Sequence, residues 1–468
     1  MKTQGNPTGR LRAGAAAVDI TPRMGTQIAG DIGRRRPAEI LLDPIFAKAL
    51  VLDDGSERLC VLCLDVLGIG TEWTARIRRG VAERYGLPPE AVMVHATQNH
   101  AAPAVGHFFF NYEWECIPAE HRWIAGGDDA YHEFAVARAV EAVGRALDRM
   151  EPVRVGWATG LEHRVASNRR LVMRDGTAEM GMWSRPQSDV AHVEGPIDPE
   201  VAVVSFTTEQ LRPVALLLHF TSHPCHGYPE RFITADWPGA WARSMQEPYG
   251  PDCTAFVLNG CCGNVIHGNS LDPAQPDSIE HMGACLTETA RGALRQLRYA
   301  DDSRLGKAGR MVRIPFRPLT DAQIEEARQI LDAHPGPQWK KGQEGTAVEW
   351  DWIYALSCRD LQRLYREKAA FDYEIQTFRI GALALVALMG EPFVEGQLDL
   401  KIRSPAARTL VAHMSNGYVG YIPTAGALRR GGYETRVGNW SKLAGEALDT
   451  IVNESVNLLE GLFAGDGR

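Results

Sequence analysis

The sequence has no apolar run approaching the 18 or more residues that a membrane-spanning helix needs, so no membrane span is expected. Its opening stretch, MKTQGNPTGRLRAGAAAVDITP, also lacks the short apolar core of a secretory signal, which makes a cytoplasmic location the expectation. An excess of positive charge is missing as well. Fifty Lys and Arg against 58 Asp and Glu leave a net charge of −8. Nothing in that balance attracts a phosphate backbone, so nucleic acid is not an expected partner. The short basic run 34–36 reads as a solvated loop. Nine cysteines, an odd number, show no disulfide-like spacing. Cys60 and Cys63 form a C-x-x-C inside a strand-like run. Positions i and i+3 of a strand point to opposite faces, so the two are expected to be buried thiols rather than a metal clip. Cys261 and Cys262, flanked by glycines, are expected in a tight, half-buried turn. Internal repeats and low-complexity blocks are absent too, and the composition, 45% hydrophobic and 23% charged, is that of an ordinary globular protein.

What is present is an interleaving of two periodicities. Runs rich in Val, Leu and Ile, bounded by turn signals, predict strands at 46–52, 59–64, 91–95, 201–206, 214–223, 255–258 and 382–389. Asp53-Asp54-Gly55 supplies a hairpin turn between the first two. Helical spacing predicts helices at 129–150, 320–334 and 443–463, the second opening on Thr-Asp and a Glu-rich turn. Alternating elements together with hairpin signals imply an α/β protein of mixed β-sheets covered by helices. One domain over residues 1–468 is expected, with a helical insertion at about 319–370, whose later part, 335–370, is rich in Trp and charge and reads as an insertion or lid.

Four clusters of reactive side chains fall at the ends of predicted strands, where loops carrying function sit. The first is VMVHATQNHAAPA, with His95, Gln98 and His100. The second is LHFTSHPCHGYP, with His219, His223 and His226. The third is LMGEPFVEG, in which Glu391 follows an apolar strand. The fourth is SNGYVGYIPT and the following GGYE, with Tyr418, Tyr421 and Tyr433. His219 and His223, if on one strand, lie roughly 13 Å apart at about 3.3 Å per residue. His219 therefore belongs to the core or behind the site. Together the clusters offer imidazole, carboxylate and phenol, a donor combination suited to Zn²⁺. The aromatic stretch GHFFFNYEWECIP, residues 106–118, reads equally as a pocket wall or as core.

The clusters resemble, in order and nearly in spacing, the catalytic domain of the neutral/alkaline non-lysosomal ceramidase family. The family's D-I-T is matched by Asp19-Ile20-Thr21, and its A-T-H-T-H-S-G-P by ATQNHAAP. Its N-R is matched by Asn168-Arg169, its second metal-histidine block by HPCHGYPERFITADWPG from His223, and its A-G-D by Cys262-Gly263-Asn264. Its metal glutamate falls on Glu391, its S-N-x-Y-x-x-Y on SNGYVGY, and its R-Y-E on Gly432-Tyr433-Glu434. The match runs over almost the whole chain. Three departures stand out, the first being that the aspartate of A-G-D is Asn264 here. The secreted members carry a signal and a C-terminal immunoglobulin-like domain that this sequence does not show, and the first histidine of H-T-H, a zinc ligand in the family, is Gln98 here.

The resemblance implies a metal-dependent hydrolase that cleaves an amide bond of a small acylated substrate with metal-activated water. It places His223, Glu391 and Tyr421 on a divalent ion, with Zn²⁺ the expected cofactor. Tyr433 would donate to the oxyanion, His100 would shuttle a proton, and Arg169 would grip the substrate. Asp236 would orient a ligand or stabilise a turn. Gln98 admits three readings: its amide oxygen binds the ion, His100 or His226 takes the vacant place, or the ion is lost and a silent ligand-binding protein remains. An ester or lactone hydrolase is the nearest catalytic variant. The expected partner is a small-molecule substrate.

Overall fold

The computed structural model describes residues 10–113, 117–181, 187–300 and 302–464. Three sheets meet around one central core. The first runs Val92–Ala96, Arg58–Leu64, Phe46–Asp53, Arg12–Asp19, Glu151–Pro152; the second, Thr254–Asn259, Pro213–Phe220, Glu200–Thr207, Arg154–Leu161, Arg298–Tyr299; the third, Leu305–Pro315, Ala370–Ile380, Leu383–Leu388, Arg408–Ala412. Each is antiparallel apart from one parallel pair: Arg58–Leu64 with Val92–Ala96, Pro213–Phe220 with Thr254–Asn259, and Leu383–Leu388 with Arg408–Ala412. The mixed α/β architecture expected from the sequence is therefore present.

Strands Arg58–Leu64, Pro213–Phe220, Thr254–Asn259 and Leu383–Leu388 are buried on both faces, and their side-chain alternation sorts residues between layers. In Arg58–Leu64, Leu59, Val61 and Cys63 enter the central core with Phe206, Leu217, Phe256, Phe378 and Leu385 from the other sheets. Cys60, Leu62 and Leu64 face outward, under the helices Thr71–Tyr85 and Asp129–Leu147. Cys60 and Cys63 thus lie on opposite faces, as a strand requires. Helices Asp236–Gln246 and Ile279–Leu294 cover the second sheet, and Ala447–Phe463 covers the third. All eight described cysteines are buried free thiols.

Local chemistry fixes several boundaries. Asp128 caps Asp129–Leu147 by accepting from the Tyr131 amide, and Thr320 forms a reciprocal capping box with Gln323 at the start of Asp321–Ala333. The helix Trp350–Glu367 packs beside Asp321–Ala333, so the 319–370 segment is largely helical. Its Trp352, Ile353 and Leu356 join Phe108, Phe109, Phe110, Tyr421 and Trp440 in one aromatic cluster. Within 106–118, residues 114–116 lie outside the described residues; Phe108, Phe109 and Phe110 are buried, and Phe108 and Phe109 also line a recess that holds Gln98 and Glu391.

Some expectations are corrected. The strand expected at 214–223 stops at Phe220, because the His223 amide turns to the Val265 carbonyl. His219 and His223 therefore share no strand face. The last helix begins at Ala447 rather than at 443. Cys261 and Cys262 are fully buried, not half-buried. Arg36 is not solvated: its guanidinium donates to the carbonyls of Ala29, His100, Gly227 and Glu230. Carbonyl oxygens around an arginine satisfy its donors without a counter-charge, which is how a basic residue can be taken from water. Among the described residues no helix is long and apolar enough to cross a membrane.

Candidate active site

The three parallel pairs have one shared consequence. Their carboxyl ends point the following loops to the same place, where ligands gather in open α/β sheets. The loop after Val92–Ala96 brings Gln98 and His100; that after Pro213–Phe220 brings His223 and Cys225; that after Leu383–Leu388 brings Glu391; and that after Arg408–Ala412 brings Tyr418 and Tyr421. Of these, His100, His223, Cys225 and Tyr421 line a cleft of about 260 Å³, together with Arg169, Tyr433 and Trp350. A narrower recess of about 40 Å³, sharing His100, Tyr421 and Tyr433, contains Gln98, Glu391 and Tyr418.

His223 is held as a metal-binding imidazole is held. Its Nδ1 lies 2.7 Å from the Cys262 carbonyl oxygen, which fixes the proton on Nδ1. Its Nε2 is buried without a hydrogen-bond partner and lies 3.3 Å from Glu391 Oε2. Burial drives this imidazole well below its ordinary pKa, so it is neutral. Glu391 begins the two-residue strand Glu391–Pro392, which pairs in parallel with Tyr421–Ile422 and sets Glu391 opposite Tyr421. Gly390 before it has φ +67°, and a Cβ there would stand 2.5 Å from the Gly420 carbonyl oxygen, so glycine is required. Burial raises the Glu391 carboxyl, with Arg169 as the largest opposing influence.

Gln98 is buried in the left-handed region at φ +67°. Its Nε2 donates to Glu391 Oε2 at 2.6 Å, and its Oε1 lies 3.1 Å from the Cys262 sulfur. The amide therefore spans carboxylate and thiol, and Tyr418 donates to the other Glu391 oxygen at 3.2 Å. His100 sits with its ring centroid 5.5 Å from that of His223, and its Nε2 is buried and unpartnered. Burial pushes His100 down to about 3. Gly30 makes room for it: a Cβ there would stand 2.4 Å from His100 Nδ1.

Arg169 is committed to the protein. Its Nε donates to Glu434 at 2.8 Å, and its Nη2 to the Gly263 carbonyl at 2.9 Å and the Tyr421 hydroxyl at 3.1 Å. Burial alone would raise the Glu434 carboxyl, but Arg169 and Arg170 on either side hold it below its ordinary value. Tyr433 lines the cleft with its ring 5.7 Å from Tyr421. Asp236 and His226 stand apart from this group. Asp236 accepts from His226 Nδ1 at 2.9 Å and from the Trp237 and Gly227 amides. The second nitrogen of His226 bonds to Asp277. His95 and His219 are held by carbonyls of His413 and Val411 and serve the core.

The sequence reading missed Cys225 as a donor, and it missed the contacts of Cys262 with Gln98 and of Tyr418 with Glu391. Ligand atoms of His100, His223 and Cys225 all lie within 4.8 Å of one another. The spacing H-x-C was a usable signal for Cys225, but a lone cysteine between histidines follows no fixed metal pattern. The donors present fit a divalent ion: two neutral imidazoles with buried unpartnered nitrogens, a carboxylate beside one of them, and a thiol.

Fold and site together define a mixed α/β protein with a buried imidazole–carboxylate–phenol cleft at the carboxyl ends of three parallel strand pairs. Its architecture is neutral ceramidase-like. The chain is similar to the crystal structure of neutral ceramidase from Pseudomonas aeruginosa, with a TM-score of 0.72 and 18% identity, over 97% of this chain and 74% of that one. A structure described as a ceramidase complexed with C2 also has a TM-score of 0.72, at 16% identity, covering 97% of this chain and 75% of that one. No protein-family model matches the sequence, and no curated protein matches it.

Proposed function

We propose that this protein is a metal-dependent hydrolase that cleaves the amide C–N bond of a small acylated substrate. One observation carries the reading: a buried histidine whose Nδ1 is tied to a backbone carbonyl and whose Nε2 faces a carboxylate 3.3 Å away. His223 and Glu391 are the anchors for the ion, with Tyr421 beside them on the paired strand. His223 and Glu391 would hold a divalent ion, Zn²⁺ by their donor types, which would supply Lewis acidity toward water and the substrate carbonyl.

The chain's own residues do the rest. The substrate carbonyl enters between Tyr433 and the His223–Glu391 pair, and the phenol of Tyr433 donates to the oxygen as it becomes an oxyanion. A single such donor is worth about 10²–10³ in rate. His100, with its Nε2 buried and unpartnered and its ring 5.5 Å from that of His223, is placed to take a proton from the attacking water and return it to the departing nitrogen. Arg169 holds the Tyr421 hydroxyl and is itself fixed by Glu434, which makes it a positioning residue rather than a substrate clamp. Gln98 orients Glu391 through its NH₂. Trp350 and the phenylalanines exclude water from one side. A cleft of about 260 Å³ is close to the lower end of the roughly 300–1,000 Å³ range of small-molecule pockets, which favours a compact acyl group over two long chains.

The test is metal analysis followed by a panel of short acyl amides, esters and lactones, with and without chelator. Amide cleavage that disappears on chelation and returns with Zn²⁺, and that His223→Ala abolishes, is the expected outcome. Cleavage of esters alone would replace the amide assignment. No divalent ion and no cleavage in any case would leave a ligand-binding protein on a hydrolase fold.

A further inference from the structure

The loop that sends His223 into the cleft carries a second imidazole in another direction. Residues 223–226 run beside Val265–His267, with His223 and Ile266 forming a parallel bridge and the His223 amide bonding to the Val265 carbonyl. This pairing places His226 and His267 side by side behind the cleft wall. Their rings stack with centroids 3.6 Å apart and planes inclined by 20°. Both point a nitrogen at the same oxygen, Asp277 Oδ1: His226 Nε2 and His267 Nδ1 each lie 2.9 Å from it, and His267 Nδ1 is 3.0 Å from Oδ2. Behind His226, the fully buried Asp236 takes Nδ1 at 2.9 Å and is fixed by the amides of Trp237 and Gly227.

We propose that His226, His267 and Asp277 form a second divalent-cation site, distinct from the cleft, with Asp236 orienting His226 toward the ion. The two imidazoles and the carboxylate present three donors that lie within 4.8 Å of one another. Two donors about 2.0–2.1 Å from one ion sit roughly 2.9–3.4 Å apart, the spacing that both Asp277–histidine pairs already have. A carboxylate on the far nitrogen of a ligating histidine is the usual device for fixing its tautomer, and Asp236 occupies that position. The charges agree as well. With both imidazoles neutral, Asp236 and Asp277 carry two negative charges, which a divalent cation balances. Without an ion, His226 needs two protons to satisfy both carboxylates; with one, it needs only the Nδ1 proton that Asp236 accepts. A pocket of about 310 Å³, lined by His267, Asp277, Cys225 and Tyr228, opens beside the cluster and leaves room for water as a further ligand. Cys225 and Tyr228 also line the cleft, so an ion here would staple the loop after the second sheet to Val265–His267 and to the start of Ile279–Leu294.

The test is calorimetric titration of the metal-free full chain with ZnCl₂, for wild type, Asp277→Asn, His267→Ala and Glu391→Gln. Circular dichroism and melting in chelator verify that each variant folds. The expected result is that Asp277→Asn and His267→Ala each bind one ion fewer than wild type, and that Glu391→Gln keeps this ion. Asp236→Asn should weaken the same ion by about 10–100-fold. If the cleft binds no ion, wild type will take up a single zinc that Asp277→Asn and His267→Ala remove; that sinks the hydrolase reading and supports this site. Unchanged zinc stoichiometry and affinity in folded Asp277→Asn and His267→Ala would overturn it, whatever the cleft does.

Discussion

At Gln98 the backbone takes φ +67°, a conformation that few residues other than glycine adopt without compensation. Compensation comes from the side chain, which joins Glu391 to Cys262, and from the Thr97 and Asn99 amides, which bond to Leu64 and Val66. The amide thus supports the carboxylate rather than presenting its oxygen beside His223. Gln98→Leu removes the donor and should lower kcat by about 10–100-fold, the usual effect of losing a partner of a metal ligand. Gln98→His should not tighten zinc, because an imidazole cannot reproduce both bonds of the amide. Zinc titrations of wild type and variant side by side decide this, and a clear gain in affinity for Gln98→His would show that the position still faces the ion.

Lys442 gives a second residue-scale expectation. Its Nζ is buried and donates to the carbonyls of Val419 and Asn439. Burial pushes its pKa down to about 8 from the ordinary 10.5, with Asp360 opposing. The sign follows from proton counting: between about 8 and 10.5 the unfolded chain holds a proton that the folded chain has released. The contribution of this group is therefore complete above 10.5 and is lost as pH falls to about 8. Urea unfolding of wild type relative to Lys442→Met should show wild type gaining stability across that window. A difference independent of pH would contradict it.

The capping box at Thr320 and Gln323 was legible in the sequence because it depends on residues three apart and on nothing distant. Thr320→Ala should destabilise the chain by about 0.5–2 kcal/mol, measured by denaturant unfolding, while kcat stays unchanged. The helix it opens packs on Trp350–Glu367, and only the Trp350 end of that second helix reaches the cleft. A large loss of kcat in Thr320→Ala would mean that the helix pair itself moves during turnover. The strand ends were less legible. An apolar run continued through His219 in the sequence, but Phe220 is the last residue in the ladder, since the chain beyond it finds its partners in a different strand.

Across the whole molecule, the three sheets share one core, and their parallel pairs deliver four loops to one cleft and its recess. The walls are aromatic: Phe108 and Trp440 line the recess and Trp350 lines the cleft. Hydrolysis should fall as the acyl chain lengthens, with short acyl amides preferred over long-chain ceramide. Rates for a series of chain lengths on one amine measure this. Efficient turnover of long-chain ceramide with none of the short amides would show that the aromatic wall opens.

The sequence by itself determined what depends on near neighbours. Side-chain alternation put Cys60 and Cys63 on opposite faces, helical spacing placed a helix at 129–150, three residues longer than the observed Asp129–Leu147, and turn signals left His100, His223, Glu391 and Tyr421 at strand ends. Backbone dihedrals repeat every two or 3.6 residues, so a short window suffices to read them. Only the tertiary structure decided which strand ends meet. Gln98 and Glu391 are 293 residues apart, and their contact requires two different sheets to be in register. His223 and His226 are three apart yet serve different clusters, because the loop between them turns against Val265–His267. Arg36 looked solvated because most of what satisfies its buried guanidinium is far away in sequence. Its partners are carbonyls at 227 and 230, and a backbone oxygen carries no residue type by which a sequence could announce it.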